Sequence, residues 1–155
     1  MSRAFVKEPD GGDVFEDLPD RPVSQHPNYV TADGLAAIEA ALARAHQEHA
    51  AAQAANDRAA LATSARDLRY WTARRATAQV IPPTQDTSTV HFGSTVTIAR
   101  DDGRRQTFRI VGEDEADPAR GTLSHVAPLA RALYGKTVGD VVPAGQSEAE
   151  IVEIK

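Results

Sequence analysis

Cysteine is absent from this chain of 155 residues, which excludes disulfide staples, thiolate zinc sites and thiol catalysis. Aromatic residues are scarce at 5%, with a single tryptophan, so the expected core is small and much of the helix lies outside a globule. Positive charge is in deficit: 17 Lys and Arg against 22 Asp and Glu leave a net charge of −5. That balance argues against a sequence-independent grip on nucleic-acid phosphates and fits a chain that meets basic surfaces or metal ions. No apolar run approaches the ~18 residues of a membrane span, and no apolar leader precedes a cleavage site. The expected location is therefore the cytoplasm, with no membrane partner. Neither a glycine-rich phosphate loop nor a nucleophile–base motif is present.

What is present changes character along the chain. Residues 1–28 carry Pro9, Pro19, Pro22, Pro27, Gly11 and Gly12 among acidic residues. Such a segment buries too little apolar surface to offset its ordering entropy, which predicts a flexible N-terminal arm. Phe5, Val14, Phe15 and Leu18 are the side chains able to dock it. From Tyr29 an alanine-rich pattern begins, with Thr31 as N-cap and Asp33 in the first turn. Leu35, Ile38, Leu42, Ala45, His49 and Ala52 recur by threes and fours, a heptad seam. Asn56-Asp57 interrupts it, and Leu61, Ala65, Leu68 and Trp71 or Thr72 mark one face of a second helix, which Pro82-Pro83 ends. Two helices joined by a short turn pack antiparallel. The hairpin of residues 29–81 is bulky at its base and small at its tip, and about 24 residues per helix span roughly 36 Å.

Residues 82–89 read as a polar linker. Beyond it the period falls to two: Thr95–Arg100, Gln106–Val111, Leu123–Val126, Val138–Val142 and Glu150–Ile154 are expected strands. Between them, Glu113, Asp114, Glu115 and Asp117 form an acidic cluster that reads as a solvated loop. Pro128 opens a short helix through Tyr134 that Gly135 closes, and Gly139-Asp140 makes a turn. The expected fold class is α+β: an N-terminal helical hairpin, then an antiparallel sheet covered on one face by one short helix over residues 90–155.

Several motifs in one order carry a resemblance. Phe92-Gly93-Ser94-Thr95-Val96, Arg109-Ile110-Val111-Gly112, Glu115-Ala116-Asp117, Ser124, Pro128-Leu129-Ala130-Arg131-Ala132-Leu133, Gly135-Lys136 and Gly139-Asp140 resemble the C-terminal domain of the bacterial GreA/GreB transcript-cleavage factors. The likeness is close over residues 90–155 and looser over 29–81. It implies an FKBP-like fold for the C-terminal domain and RNA polymerase as partner. The domain would dock at the rim of the secondary channel through Ser124, Pro128, Leu129 and Arg131, and the coiled coil would enter the channel. Acidic tip residues of that family help to hold the polymerase's catalytic magnesium, so Asp57 is the corresponding candidate here. A basic patch on the family's coiled coil contacts RNA, which points to Arg66 and Arg69, in a stripe with Arg74 and Arg75.

This chain departs from the family at the tip. Nothing in residues 53–64 matches the Gly-Asp-Leu-x-Glu-Asn-Ala-Glu run, and the arm is shorter than a full Gre arm, as in the short-armed Rnk-type regulators. The residues alone read Asp57 as a helix N-cap beside Asn56, and the arginine stripe as a solvated face. His46 and His49 lack a third ligand at metal spacing, so the expectation is no metal or cofactor of the protein's own. An FKBP-like fold also invites prolyl isomerase chemistry, but Phe92, Phe108 and Tyr134 are too few rings to line a pocket. The expected protein is a monomeric, non-enzymatic regulator of transcription elongation with weak cleavage stimulation. A cleavage factor using Asp57, or a dimerising interaction module built on the alanine-rich seam, are the alternatives.

Overall fold

The computed structural model describes residues 18–155. Their contacts divide into two units. One holds residues 39–76 with the described residues up to Val23; the other holds residues 24–38 and 77–155. Of the segment expected to be a flexible arm, residues 18–28 make defined contacts, reported below. Phe5, Val14 and Phe15 lie outside the described residues.

Helix α1 spans Ala32–Ala55 and helix α2 spans Arg58–Thr77. The heptad seam of α1 faces inward as expected: Ile38, Ala45 and Ala52 are buried, with Leu35, Leu42 and His49 half-buried between them. On α2 the expected stripe is displaced. Leu61, Ala65, Leu68 and Trp71 are only half-buried, while Ala62, Ser64 and Arg74 are buried. Ser64 can sit there because its hydroxyl donates to the Ala60 carbonyl at 2.7 Å and meets His49 Nδ1 at 3.1 Å. A hydroxyl satisfied in this way removes the main cost of burying a polar group.

In the second unit, two short strands that the sequence pattern hides, β1 (Tyr29–Val30) and β2 (Gln79–Val80), pair in parallel. They tie together the start of α1 and the end of α2. The Asn28 side-chain amide adds a bond to Thr77 Oγ1 at 3.2 Å. No helix or strand lies between β2 and β3.

The main sheet has five strands, β3 (Thr95–Arg100), β4 (Arg105–Val111), β5 (Thr122–Ser124), β6 (Val141–Ala144) and β7 (Ser147–Ile154), in the order β5-β4-β3-β7-β6. Helix α3 (Pro128–Leu133) buries Ala130 and Leu133 into the same core. The α+β class stands as expected, with one correction: the sheet is mixed. β5 runs parallel to β4, because residues 112–121 carry the chain back before Thr122 pairs with Arg109. Alternation fixes which face a residue occupies and is silent on strand direction.

A bulge on β7 opposite Thr97 and Ile98 shapes the core. Ile151 and Ile154 are three residues apart, so strict alternation would send them to opposite faces; the extra residue lets both point inward, where they are buried. Pro143 lies in β6, an edge strand, where a missing N–H costs no ladder bond.

Candidate functional site

Three places hold the residues singled out by sequence. Asp57, Arg66 and Arg69 lie in the helical unit, whereas Ser124, Pro128, Leu129 and Arg131 lie in the sheet unit.

At the hairpin tip, the Asp57 N–H bonds the Ala52 carbonyl at 3.0 Å and the Asn56 N–H bonds the Gln53 carbonyl at 3.1 Å. Asn56 adopts φ +50°, the left-handed conformation that asparagine tolerates well. These are the two bonds of a Schellman stop. Asp57 then starts α2: its carbonyl accepts the first helical bond, from Leu61, and its Oδ1 accepts the Ala60 N–H at 3.1 Å. One residue thus finishes the first helix and caps the second. Its carboxylate is exposed but already engaged. Beside it an open groove of about 540 Å³ is lined mostly by alanines, with Glu48 and Asp57 among its residues.

Only part of the arginine stripe on α2 is the solvated face expected: Arg69 and Arg75 are exposed, Arg66 is half-buried and Arg74 is buried. Arg69 Nε donates to Asp20 Oδ1 at 2.5 Å, and Arg75 pairs with Glu39 at 3.0 Å. Arg74 is only 2% exposed, and Arg66 Nε is buried 4.0 Å from Asp67. Arg21 reaches Asp67 at 3.3 Å and lays its guanidinium over Tyr70, 3.9 Å from the ring centroid, with Trp71 at 5.5 Å. Residues 20 and 21 were not singled out by sequence. The available signal was an Asp-Arg dipeptide opposite a helix carrying both charges.

In the sheet unit, Ser124 ends β5 and turns the chain: its Oγ accepts the Val126 N–H at 3.3 Å and its carbonyl accepts the Ala127 N–H at 3.0 Å. Pro128 follows as the first residue of α3, exposed, where its lack of an N–H is harmless. Leu129 is half-buried against the core, so it both packs the helix and shows an edge to solvent. Arg131 is exposed and donates from Nη2 to His26 Nε2 at 3.1 Å. Tyr134, read with the short helix, and Val138 and Val141, read in a strand, are large apolar side chains left exposed around and beyond the C-terminus of α3, at 49%, 55% and 57%. Phe92 is buried and Phe108 half-buried on the core, so two of the three rings counted against an isomerase pocket face inward.

The acidic cluster contributes structure. Glu115 accepts from the Thr31 N–H at 3.0 Å, the Thr31 hydroxyl at 2.5 Å and the Gly112 N–H at 3.3 Å. Thr31 Oγ1 in turn accepts the Gly34 N–H, the N-cap bond of α1. Glu115 therefore sits at the positive end of α1, where a carboxylate is favoured. Gly112 is required by closeness, since a Cβ would stand 2.5 Å from the Tyr29 carbonyl; at Gly34 a Cβ would stand 2.0 Å from Glu115 Oε2, so the Glu115 carboxylate would have to move. Asp117 caps the 3-10 turn Pro118–Arg120. So the cluster is not merely a solvated loop.

Among the described residues no group of three His, Asp or Glu side chains is arranged to hold a metal ion. Nor is any helix among them long and apolar enough to cross a membrane.

A two-helix hairpin followed by a curled mixed sheet with one short covering helix defines an α+β protein with a separate helical unit. Residues 85–155 match the family "Transcription elongation factor, GreA/GreB, C-term". The chain is 43% identical over 96 residues to transcription elongation factor GreB of Neisseria meningitidis serogroup B, covering 58% of this chain and 59% of that one. It is 46% identical over 83 residues to GreA of Paracoccus denitrificans, covering 50% and 53%. These matches span between half and three fifths of the curated relatives. Among solved structures it is similar to a GreA/GreB elongation factor from Nitrosomonas europaea (18% identity, TM-score 0.42, covering 83% of this chain and 98% of that one). It is also similar to Gfh1 of Thermus thermophilus (19%, TM-score 0.41, covering 84% and 99%).

Proposed function

We propose that this protein is a cytoplasmic regulator of RNA polymerase of the Gre kind. In this reading the sheet unit docks at the rim of the polymerase secondary channel and the hairpin enters the channel to modulate elongation. Ser124, Pro128, Leu129 and Arg131 form the docking face, widened by Tyr134, Val138 and Val141. An exposed apolar group flanked by an arginine is the composition that interface cores favour. The observation that carries the proposal is the coexistence in one chain of a match to the GreA/GreB C-terminal domain and two long helices joined by the two-residue turn Asn56-Asp57. The protein acts through the polymerase and supplies no chemistry of its own.

Weak stimulation of transcript cleavage is the finer reading. Magnesium prefers several oxygen ligands and keeps its waters, and this tip offers Asp57 with its carboxylate already accepting a helix N–H. A magnesium contribution from this chain would rest on that one group. Binding to core polymerase tests the main proposal: Pro128→Ala with Leu129→Ala is expected to weaken association at least tenfold, about 1.4 kcal/mol, with the fold intact by circular dichroism. Unchanged affinity would sink the docking face. Strong shortening of backtracked RNA that disappears in Asp57→Ala would overturn the weak-cleavage reading.

The groove of small side chains at the tip favours one alternative, a self-associating hairpin, because alanine faces permit close helix approach. Sedimentation at micromolar concentration separates the two, since the main reading expects a monomer.

A further inference from the structure

We propose that residues 18–23 are a built-in strap that occupies an RNA-facing surface on α2 and is displaced by single-stranded RNA. This deepens the reading above and rests on it for the biological role of that face; the strap itself rests on contacts within the helical unit. At about 100° per residue, Arg69 and Asp67 flank Tyr70 around the helix, with Arg66 and Arg74 on the same side. The strap lies across this face. Asp20 takes Arg69 on one flank, Arg21 takes Asp67 on the other, and the Arg21 guanidinium covers the Tyr70 ring between them.

Each strap group stands where a polynucleotide would place an equivalent. The Asp20 carboxylate occupies the partner position of Arg69 that a phosphate would take. The planar Arg21 guanidinium lies on the aromatic face that a base would stack upon. The consecutive charges of Asp20 and Arg21 match the opposite charges at Arg69 and Asp67, which specifies where on α2 the strap seats. Arg69 and Asp20 are both substantially exposed, with side chains at 51% and 70%. Such an ion pair is weak and screened by salt. The strap is therefore held firmly enough to compete and loosely enough to leave.

Trp71, the only tryptophan of the chain, lies beside Arg21 and reports on the strap directly. The experiment compares the full chain with Arg21→Ala and with Asp20→Ala/Arg21→Ala by acrylamide quenching of Trp71. Binding of a labelled single-stranded oligoribonucleotide of about a dozen nucleotides is followed by fluorescence anisotropy. Removing the strap contacts is expected to raise Trp71 quenching and tighten RNA binding about five- to tenfold, the range of a modest coupling between two ligands of one site. Adding Arg69→Glu to the strap variant is expected to abolish the gain. A charge exchange, Asp20→Arg with Arg69→Asp, should restore Trp71 protection while leaving RNA binding weak.

Exposed Trp71 with unchanged RNA affinity would mean that the strap only buttresses α2, and unchanged quenching would mean that these contacts do not hold it; either overturns the proposal. The single variant Arg21→Ala keeps Asp20 on Arg69 and guards against a variant that simply fails to fold. Polymerase binding through residues 124–131 is measured separately, so its failure leaves the RNA and quenching results standing.

Discussion

Asp57 shows how one residue type can be read correctly and still carry two meanings. Its side chain caps α2 and its N–H closes α1, so Asp57→Ala is expected to cost about 1 kcal/mol of stability in chemical denaturation. Asn caps as well as Asp, so Asp57→Asn should restore most of that. A role in binding magnesium would not survive the same change, which makes the pair of variants informative in a transcript-cleavage assay. The turn was legible because Asn56 and Asp57 are the types that a left-handed stop and an N-cap require. Glu115 was not legible as a cap, because its partner Thr31 lies 84 residues away and nothing local distinguishes it from its acidic neighbours. Glu115→Ala is expected to cost about 2 kcal/mol, since bonds from a charged acceptor are lost and the Gly112 N–H is left without its acceptor. Gly34→Ala should be costly in the native chain and much less so in the Glu115→Ala background, because the three atoms nearest its new methyl belong to that carboxylate. Gly112→Ala meets a backbone carbonyl and should stay costly in both, a contrast that thermal melts of the three single and two double variants would reveal.

Among the elements, spacing was a good guide wherever one face is buried and the partner is local. The seam of α1 and strand β3 follow their expected patterns, and α3 begins at Pro128 as expected. The stripe on α2 did not, because a helix approached from more than one side has no single apolar face; Asp20 and Arg21 contact Asp67, Arg69 and Tyr70 on it. The parallel β1–β2 pair escaped notice because two residues carry no period. The seam also grades from Ile38 at the base to Ala45 and Ala52 further out. Alanine buries little apolar surface, so the outer turns have less holding them together. Hydrogen exchange is expected to be faster for backbone amides of residues 48–64 than for residues 35–42 and 68–75. Equal protection along both helices would contradict this.

For the molecule as a whole, composition gave the expectation of a small core and a helical part outside it; contacts among the described residues divide into two units. Three aspartates contribute to the acid response. Asp86 is held below the ordinary value of 3.8 chiefly by the Ser88 hydroxyl, with its backbone N–H and His91 adding to the effect. Asp102 is lowered chiefly by the Arg104 N–H and Asp140 chiefly by the Thr137 N–H, each against an opposing cost of desolvation. A carboxylate whose folded pKa is depressed adds stability above its unfolded value and loses it as pH falls through the folded one. Unfolding free energy should therefore be insensitive to these groups from neutrality to about pH 5 and decline below about pH 4. Asp86→Asn, Asp102→Asn and Asp140→Asn together should flatten that decline. The bond from Glu115 to Thr31 also has a consequence in time. A ribosome delivers α1 and α2 long before residue 115, so the opening turn of α1 is born without its carboxylate. Only when β4 and the loop after it have emerged can the nascent chain fasten its first helix in place, and the order of synthesis makes that fastening late.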